Sequence, residues 1–291
     1  MEDAFIALVV NSSVVLLLAS LGEMIKERAG ILNLGIEGIM SLSALSAVAS
    51  YIAFNDHALA ILVAGITGST LSLLHGFFSI YVKADQVLSG LGVLFIGLGL
   101  SGAIGSAYSG MEIEPMEPII WLFDTLSILA YASAIIFYVL TRYTKLGLIL
   151  DGLGDNPEGL DYLGYDVYRL RMLAVVVGGF LVGLSGAKIT LSLIPVWSMG
   201  VTGGRGWIAL ALVISSMWNP ILSIPISHVF GLLTQAGILS QVFNLPIDSR
   251  IASTTPYIST IILLTLVHST RFKRLVKAPR TLGTPYRRRG E

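Results

Sequence analysis

The residues of this sequence that could do chemistry fall into two sets, each defined by its surroundings. Glu37 stands in an apolar run beside Asn33, Gly35 and Gly38, and Arg205 stands beside Trp207 in the stretch GGRGW at 203–207. A charge at the centre of a bilayer costs about 2.5–3.5 kcal/mol on insertion scales, so each must face a bundle interior, a watery cavity or a partner. Glu37 therefore has two readings. It lines a polar path and accepts hydrogen bonds from a solute, or it fixes a broken helix by accepting backbone N–H groups or reaches the membrane edge. Arg205 either approaches the same path or, with Trp207 at headgroup level, anchors an interface. The second set is acidic. Asp151, Asp155, Glu158, Asp161 and Asp166 lie in an interval that also holds Arg142, Lys145, Arg169 and Arg171, a polar island suited to docking or to plain surface charge.

Catalytic and cofactor motifs are missing. With no cysteine there is no disulfide, thiolate metal site or Cys nucleophile. No Walker A, HExxH or G-x-S-x-G sequence occurs, so the chain does not hold ATP in the P-loop manner and has no intramembrane hydrolase signature. Gly97-Leu98-Gly99-Leu100-Ser101-Gly102 fits G-x-G-x-x-G, but it lies in an apolar run where glycines serve helix packing. The Asn11-Ser12-Ser13 sequon is inside the first apolar run, and His75, His228 and His268 show no ligand spacing. No metal, no cofactor and no nucleic-acid partner are expected.

Membrane helices must position these groups. Hydrophobic residues make up 54% of the chain and charged residues 12%, against about 25% charge in soluble domains. The mean hydropathy is +0.81. Such a chain cannot cover its apolar surface with polar side chains, and it reads as an all-α, polytopic integral membrane bundle. Apolar runs near the ~20 residues that cross hydrocarbon fall near 4–22, 38–54, 58–81, 87–108, 119–140, 171–194, 207–218, 221–243 and 257–268. They predict about 8–10 transmembrane helices in one domain over 1–291. Nothing before the first run resembles a basic n-region or a cleavage site, so it reads as a retained span. The runs 207–218 and 257–268 are short and 29–37 is interrupted, which predicts broken or re-entrant segments, paired in the two halves of the chain.

Orientation follows from the bases. Placing the loop at about 141–170 in the cytoplasm also places Lys26, Arg28 and Lys83 there. The tail at about 271–291 joins them, with Arg271, Lys273, Arg274, Lys277, Arg280, Arg287, Arg288 and Arg289. The opposite loop at 109–118 has three Glu and no base. This satisfies the positive-inside rule with a cytoplasmic C-terminus. The tail reads as a stop-transfer anchor that can also meet anionic lipid headgroups. Lys188 reads as snorkelling from an external helix end, and Asp124, inside 119–140, as paired within the bundle. Within the polar loop, Pro157 suits a first helical turn, with Asp155 or Asn156 as cap, Glu158 favouring the positive end and Gly164 ending a helix near 157–163.

The segments ERAGILNLGIEGIM (27–40), GLGDNPEGLDYLGYDVYRLRMLAVVVGGFLVGLSGA (152–187), TGGRGWIALALVI (202–214), WNP (218–220) and TTPYISTIILL (254–264) resemble the permease subunits of ATP-binding cassette (ABC) importers in the nucleoside and simple-sugar group, related to ribose and branched-chain amino-acid permeases. The likeness runs over nearly the whole chain in the same order. It implies a multi-pass subunit of the cell membrane, paired as a heterodimer with a second permease. It also implies a cytoplasmic ATPase subunit that binds the ATP and an external solute-binding protein. On this resemblance Gly154, Asp155, Asn156, Pro157, Glu158, Asp161 and Gly164 form the ATPase-coupling loop. Asn33, Glu37, Arg205 and Trp207 then fall along the translocation path, Glu37 facing sugar hydroxyls or a base edge and Arg205 the path or the external receptor. Asp151 stands where many such permeases carry a base. The motif at Glu37 differs from the Asp-Leu-Ser-Val-Gly pattern of ribose permeases, which points toward nucleosides. The rival reading is a self-sufficient secondary carrier in which Glu37 or Asp124 binds a coupling ion.

Overall fold

An apolar chain in hydrocarbon must satisfy its backbone within each segment, and helices do so. The computed structural model of the protein, which describes residues 2–242, 246–267 and 278–288, is accordingly helical, with only three isolated β-bridges among those residues. In chain order the helices are α1 (Glu2–Arg28), α2 (Ile36–Phe54), α3 (His57–Gly76), α4 (Gln86–Gly105), α5 (Thr125–Tyr143), α6 (Lys145–Asp155), α7 (Pro157–Tyr162), α8 (Val167–Lys188), α9 (Arg205–Ser215), α10 (Pro220–Thr234), α11 (Ala236–Val242), α12 (Ser249–Ala252) and α13 (Thr255–Val267). Wider π turns extend α3 through Phe77–Tyr81 and α8 through Ile189–Leu193.

Among the described residues six helices (α1–α5 and α8) are long and apolar enough to cross a membrane, and α10 with α11, bent by 49°, makes a seventh at most. Against the expected 8–10, two of the apolar runs are not full crossings within the described residues. Helix α9 has 11 residues, a rise of roughly 16 Å at 1.5 Å per residue, about half of a ~30 Å core. Helix α13 has 13 described residues. Three other expectations change. The first span does not stop at 22: α1 runs on to Arg28, and Lys26, expected in a cytoplasmic loop, is fully buried and ion-paired one turn back with Glu23. The fifth span begins at Thr125, not 119. Residues 119–124 form an irregular surface turn in which Ile119, Ile120 and Trp121 are exposed, and Asp124 caps the helix through the Ser127 N–H at 2.8 Å. The polar loop also contains α6, whose Leu146, Ile149, Leu150 and Leu153 recur at helical spacing. His268, Arg271, Lys273, Arg274, Lys277 and Arg289 lie outside the described residues.

Helix α8 is the axis of the bundle, and its glycines let three helices close on it. A Cβ at Gly178 would lie 2.8 Å from Lys26 Cγ of α1; at Gly179, 2.7 Å from Gly68 O of α3; at Gly186, 2.9 Å from Ala44 N of α2. Without a hydrophobic drive between lipid-bathed helices, such close backbone approach is what associates them. Of the 97–102 glycines, Gly97 does the same for α4 on α2: a Cβ there would lie 2.7 Å from Gly38 Cα, and Ser101 and Ser41 hydroxyls meet at 2.8 Å.

The bundle has a basic end and an acidic end. At the basic end Arg28, Lys83, Arg171 and Arg288 gather around α6, α7 and Tyr168. At the acidic end the loop 106–124 bridges to residues 194–197, and Glu114 meets Tyr51 and His57. Valine at Gly178 should destabilise the detergent-purified protein by about 1–3 kcal/mol, whereas valine at Gly99, with nothing within 4 Å, should not. Equal melting temperatures for the two variants would contradict this packing.

Candidate functional site

Glu37 and the GGRGW stretch, 165 residues and more apart in sequence, meet inside the bundle. The depth follows from α4: Gly38 packs against Leu94, where its Cβ would lie 2.7 Å from Leu94 Cα. Leu94 is eight residues, or about 12 Å, beyond the helix start at Gln86. At that depth the chain descending from α8 turns through Gly203 (φ 56°) and Gly204 (φ 76°), conformations that favour glycine, and starts α9. Glu37 Oε1 accepts from the Thr202 hydroxyl at 2.5 Å and from the Gly204 N–H at 2.7 Å; Oε2 accepts from the Gly206 N–H at 2.7 Å. The carboxylate thus satisfies N–H groups that a helix start always leaves open, at the positive end of its dipole. Gly206 is required for contact: a Cβ there would lie 2.7 Å from Glu37 N. Tyr257 donates from its hydroxyl to Gly203 O at 2.7 Å.

The other residues read as path-lining are placed separately. Arg205 donates through Nη1 to Val201 O (3.3 Å) and Thr202 O (3.1 Å), bracing the turn from its other side, while its buried Nε has no partner among the described residues. Trp207 is exposed on the outer side of α9, whose Gly206, Ile208 and Ala209 are buried. Asn33 is fully buried at the break between α1 and α2. Its side-chain oxygen accepts from Gly35 N (2.8 Å) and its own N–H donates to Glu23 Oε1 (3.1 Å), so it shapes the turn.

At the basic end the acidic loop is folded, not free. Asn156, rather than Asp155, caps α7 by accepting from Gly159 N at 3.0 Å, and Pro157 takes the first helical position. The helix closes at Leu163, with Gly164 at φ 86°. Asp151 takes both Nε (2.8 Å) and Nη2 (2.9 Å) of Arg28, so an acid at this position is explained by a partner one helix away. Arg28 Nη1 also donates to Trp218 O at 3.3 Å, in the α9–α10 turn where Met217 and Trp218 both have positive φ, and Trp218 Nε1 donates to Glu27 Oε2 at 2.7 Å. Arg171, almost fully buried, donates to Leu153 O at 2.8 Å. Asp155 accepts from Arg280 N at 3.1 Å. Asp161 receives Arg288 Nε at both oxygens, 3.0 and 2.9 Å, and those hydrogen bonds hold its carboxyl below the usual range. Burial first, and then that carboxylate, push the Tyr286 phenol up to about 12. Sequence reading missed Thr202, Glu27, Trp218 and the 278–288 segment. The ERAG, TGGRG and WNP runs and the basic tail signalled their neighbourhoods, but none of these names a partner.

Lys188 does not snorkel. It is fully buried and ion-paired with Asp124, and donates to Ser127 Oγ at 3.0 Å; Ser192 Oγ donates to the same carboxylate at 2.6 Å. An adjacent counter-ion with its own hydrogen-bond donors offsets part of the cost of burying the ammonium. Among the described residues no group of acids and histidines could hold a metal ion. His75 meets Ser89 and His228 meets Tyr131.

A bundle of membrane helices with a half-length helix at depth and a capped helical loop at its basic end is the frame of a transport permease. The chain belongs to the family of permease components of branched-chain amino acid transport systems, which it matches over residues 5–268, and is a membrane-spanning permease subunit of an ABC importer. It is 33% identical to the putative glucose ABC transporter permease protein TsgC13 of Haloferax volcanii, with 88% of each chain covered. It is 31% identical to the nucleoside ABC transporter permease protein NupC of Lactococcus lactis, and 29% to the guanosine ABC transporter permease protein NupQ of Bacillus subtilis; each match covers 93% of this chain and 92% of the relative. No solved structure matches it.

Removing the Glu37 carboxylate leaves two buried donors and one part-buried donor unmet, each buried one worth about 1–3 kcal/mol. Glu37→Ala should therefore abolish stable expression, while Glu37→Gln, which sets an amide NH2 against the Gly206 N–H, should fold but melt lower. A Glu37→Ala protein as stable as the parent would refute the clamp. Lys188→Met should cost roughly 3–5 kcal/mol, and the pair Lys188→Met with Asp124→Asn should recover most of it. Unchanged thermal unfolding of the single variant would remove the ion pair from the account.

Proposed function

We propose that this permease carries nucleosides inward through a path beside Glu37 and α9, driven by an ATPase subunit that grips α7 from the cytoplasm. The observation that carries the reading is the mounting of α7. It is capped at Asn156 and held to the bundle through α6, which Arg28 ties to α1 and Arg171 to α8. A displacement of α7 then passes to α8, and from α8 to α1, α2 and α3 through their glycine contacts. Interfaces this tightly packed shift between discrete arrangements rather than deforming smoothly. In this reading Glu37 holds the gate loop, and the unpartnered Nε of Arg205 offers a donor to a solute oxygen.

The surrounding assembly follows from charge and kinship. The basic end, with the C-terminus, faces the cytoplasm as the positive-inside rule asks. An external solute-binding protein meets the acidic end. A second, homologous permease completes a heterodimer in the cell membrane, and anionic lipid meets the basic tail. Trp207 lies at the edge of the path or at the interface with that second subunit. ATP is bound and hydrolysed by the ATPase, and the chain needs no cofactor of its own. The NupC and NupQ relatives support a nucleoside substrate. The TsgC13 relative favours a simple sugar as the second reading, and uptake of labelled guanosine against labelled glucose by the reconstituted complex separates the two.

Replacing Gly154–Glu158 with a flexible linker should leave membrane insertion intact and abolish co-purification of the ATPase. Normal association after that change would refute the coupling role. Uptake by the chain alone in energised, ATP-free vesicles would restore the secondary-carrier reading.

A further inference from the structure

Residues 278–288 do not trail away from the bundle. They lie across α6 and α7 as a strap, more than 100 residues distant in sequence from what they touch. Thr281 donates to Gly154 O twice, from its N–H and from its hydroxyl, each at 2.8 Å, and its hydroxyl accepts from Arg171 Nη2 at 3.0 Å. Pro279 fills the space beside Gly154, where a Cβ would come within 2.8 Å of the ring. The Tyr286 side chain is buried between Tyr168 (centroids 5.5 Å apart) and the Arg171 guanidinium (5.8 Å). Arg288 closes the strap on Asp161, inside α7 itself.

Between strap and helix, at the basic end of the bundle, lies a partly open cavity of about 400 Å³. Asp155 at the end of α6, the cap Asn156, and Pro157 and Glu158 in the first turn of α7 wall one side, and Thr284 to Arg287 wall the other. We propose that the ATPase-docking surface is this composite socket rather than α7 alone: a segment of the ATPase subunit seats between helix and strap, and Arg288 is the positioning residue that keeps the two walls in register. This rests on the coupling role proposed for α7. The partner is the ATPase because the socket opens beside the capped start of α7, on the face that role presents to the cytoplasm. A bidentate guanidinium–carboxylate pair fixes orientation as well as distance, which suits a wall that must not slide.

The chain has no cysteine, so one engineered thiol reports alone. In the full complex, Glu158→Cys and Thr284→Cys are each treated with a short thiol-to-amine crosslinker. Both should link to the ATPase. A link from Glu158→Cys without one from Thr284→Cys overturns the socket and leaves α7 as the docking element. A link from neither, or from Thr284→Cys only, overturns the coupling role of α7 and the socket with it. For the positioning role, Arg288→Ala should lower solute transported per ATP hydrolysed roughly threefold, the scale of one well-aligned exposed ion pair, with the ATPase still co-purifying. The exchange Asp161→Arg with Arg288→Asp should restore the ratio. An unchanged ratio in Arg288→Ala, or no recovery on exchange, overturns that role.

Discussion

A helix that starts partway across a membrane exposes N–H groups where no water can meet them, and much of this structure is arranged around that constraint. Glu37 meets it from α2, taking Thr202, Gly204 and Gly206 in one carboxylate. Because the acid must reach α9, the α1–α2 connection turns inward through Asn33 and Gly35, and α2 begins well inside the bundle. Because the loop must reach the acid, the chain after α8 turns back through two glycines with positive φ. The charge and the broken helices that looked costly separately satisfy each other once they are brought together.

How much of this was legible in the sequence differs between elements for physical reasons. The long helices announced themselves through uninterrupted apolar runs, and α7 through Asn156-Pro157. Helix α6 did not, because its charged face disguised a helical stripe of leucines as a loop. Residues 119–124 misled in the opposite direction: an apolar turn carries the same letters as a span, and only Asp124, as a cap, marks where the helix begins. Lys26 and Lys188 look like interfacial bases one by one. Their burial depends on Glu23, a turn away on the same helix, and on Asp124, 64 residues away, and only the second needs the folded chain to be seen. Glu37 could be read as costly and therefore special, but its partners could not, since nothing in TGGRG names a carboxylate 165 residues earlier.

The same split holds for the basic end. Composition showed a polar island and a basic tail, and reading them as a docking loop and an anchor treated them as separate objects. The described part of the tail, 278–288, is hydrogen-bonded to Gly154, Asp155 and Asp161. The proposed lever is therefore built from segments that chain order keeps far apart, and its stiffness comes from Arg28, Arg171 and Arg288, each of which spans two segments. Arginine suits all three places because its rigid planar fork fixes the direction of each bond as well as its length, which the rotatable ammonium of a lysine does not do.

Arg28 shows where that leads. Its guanidinium holds Asp151 of α6 and, with the remaining nitrogen, the carbonyl of Trp218 at the exit from α9. The element proposed to receive the push and the element that starts beside Glu37 therefore share a bearing. In the proposed coupling, two parts mounted on one pivot would keep time by construction, with no need for a signal relayed through the lipid-facing helices.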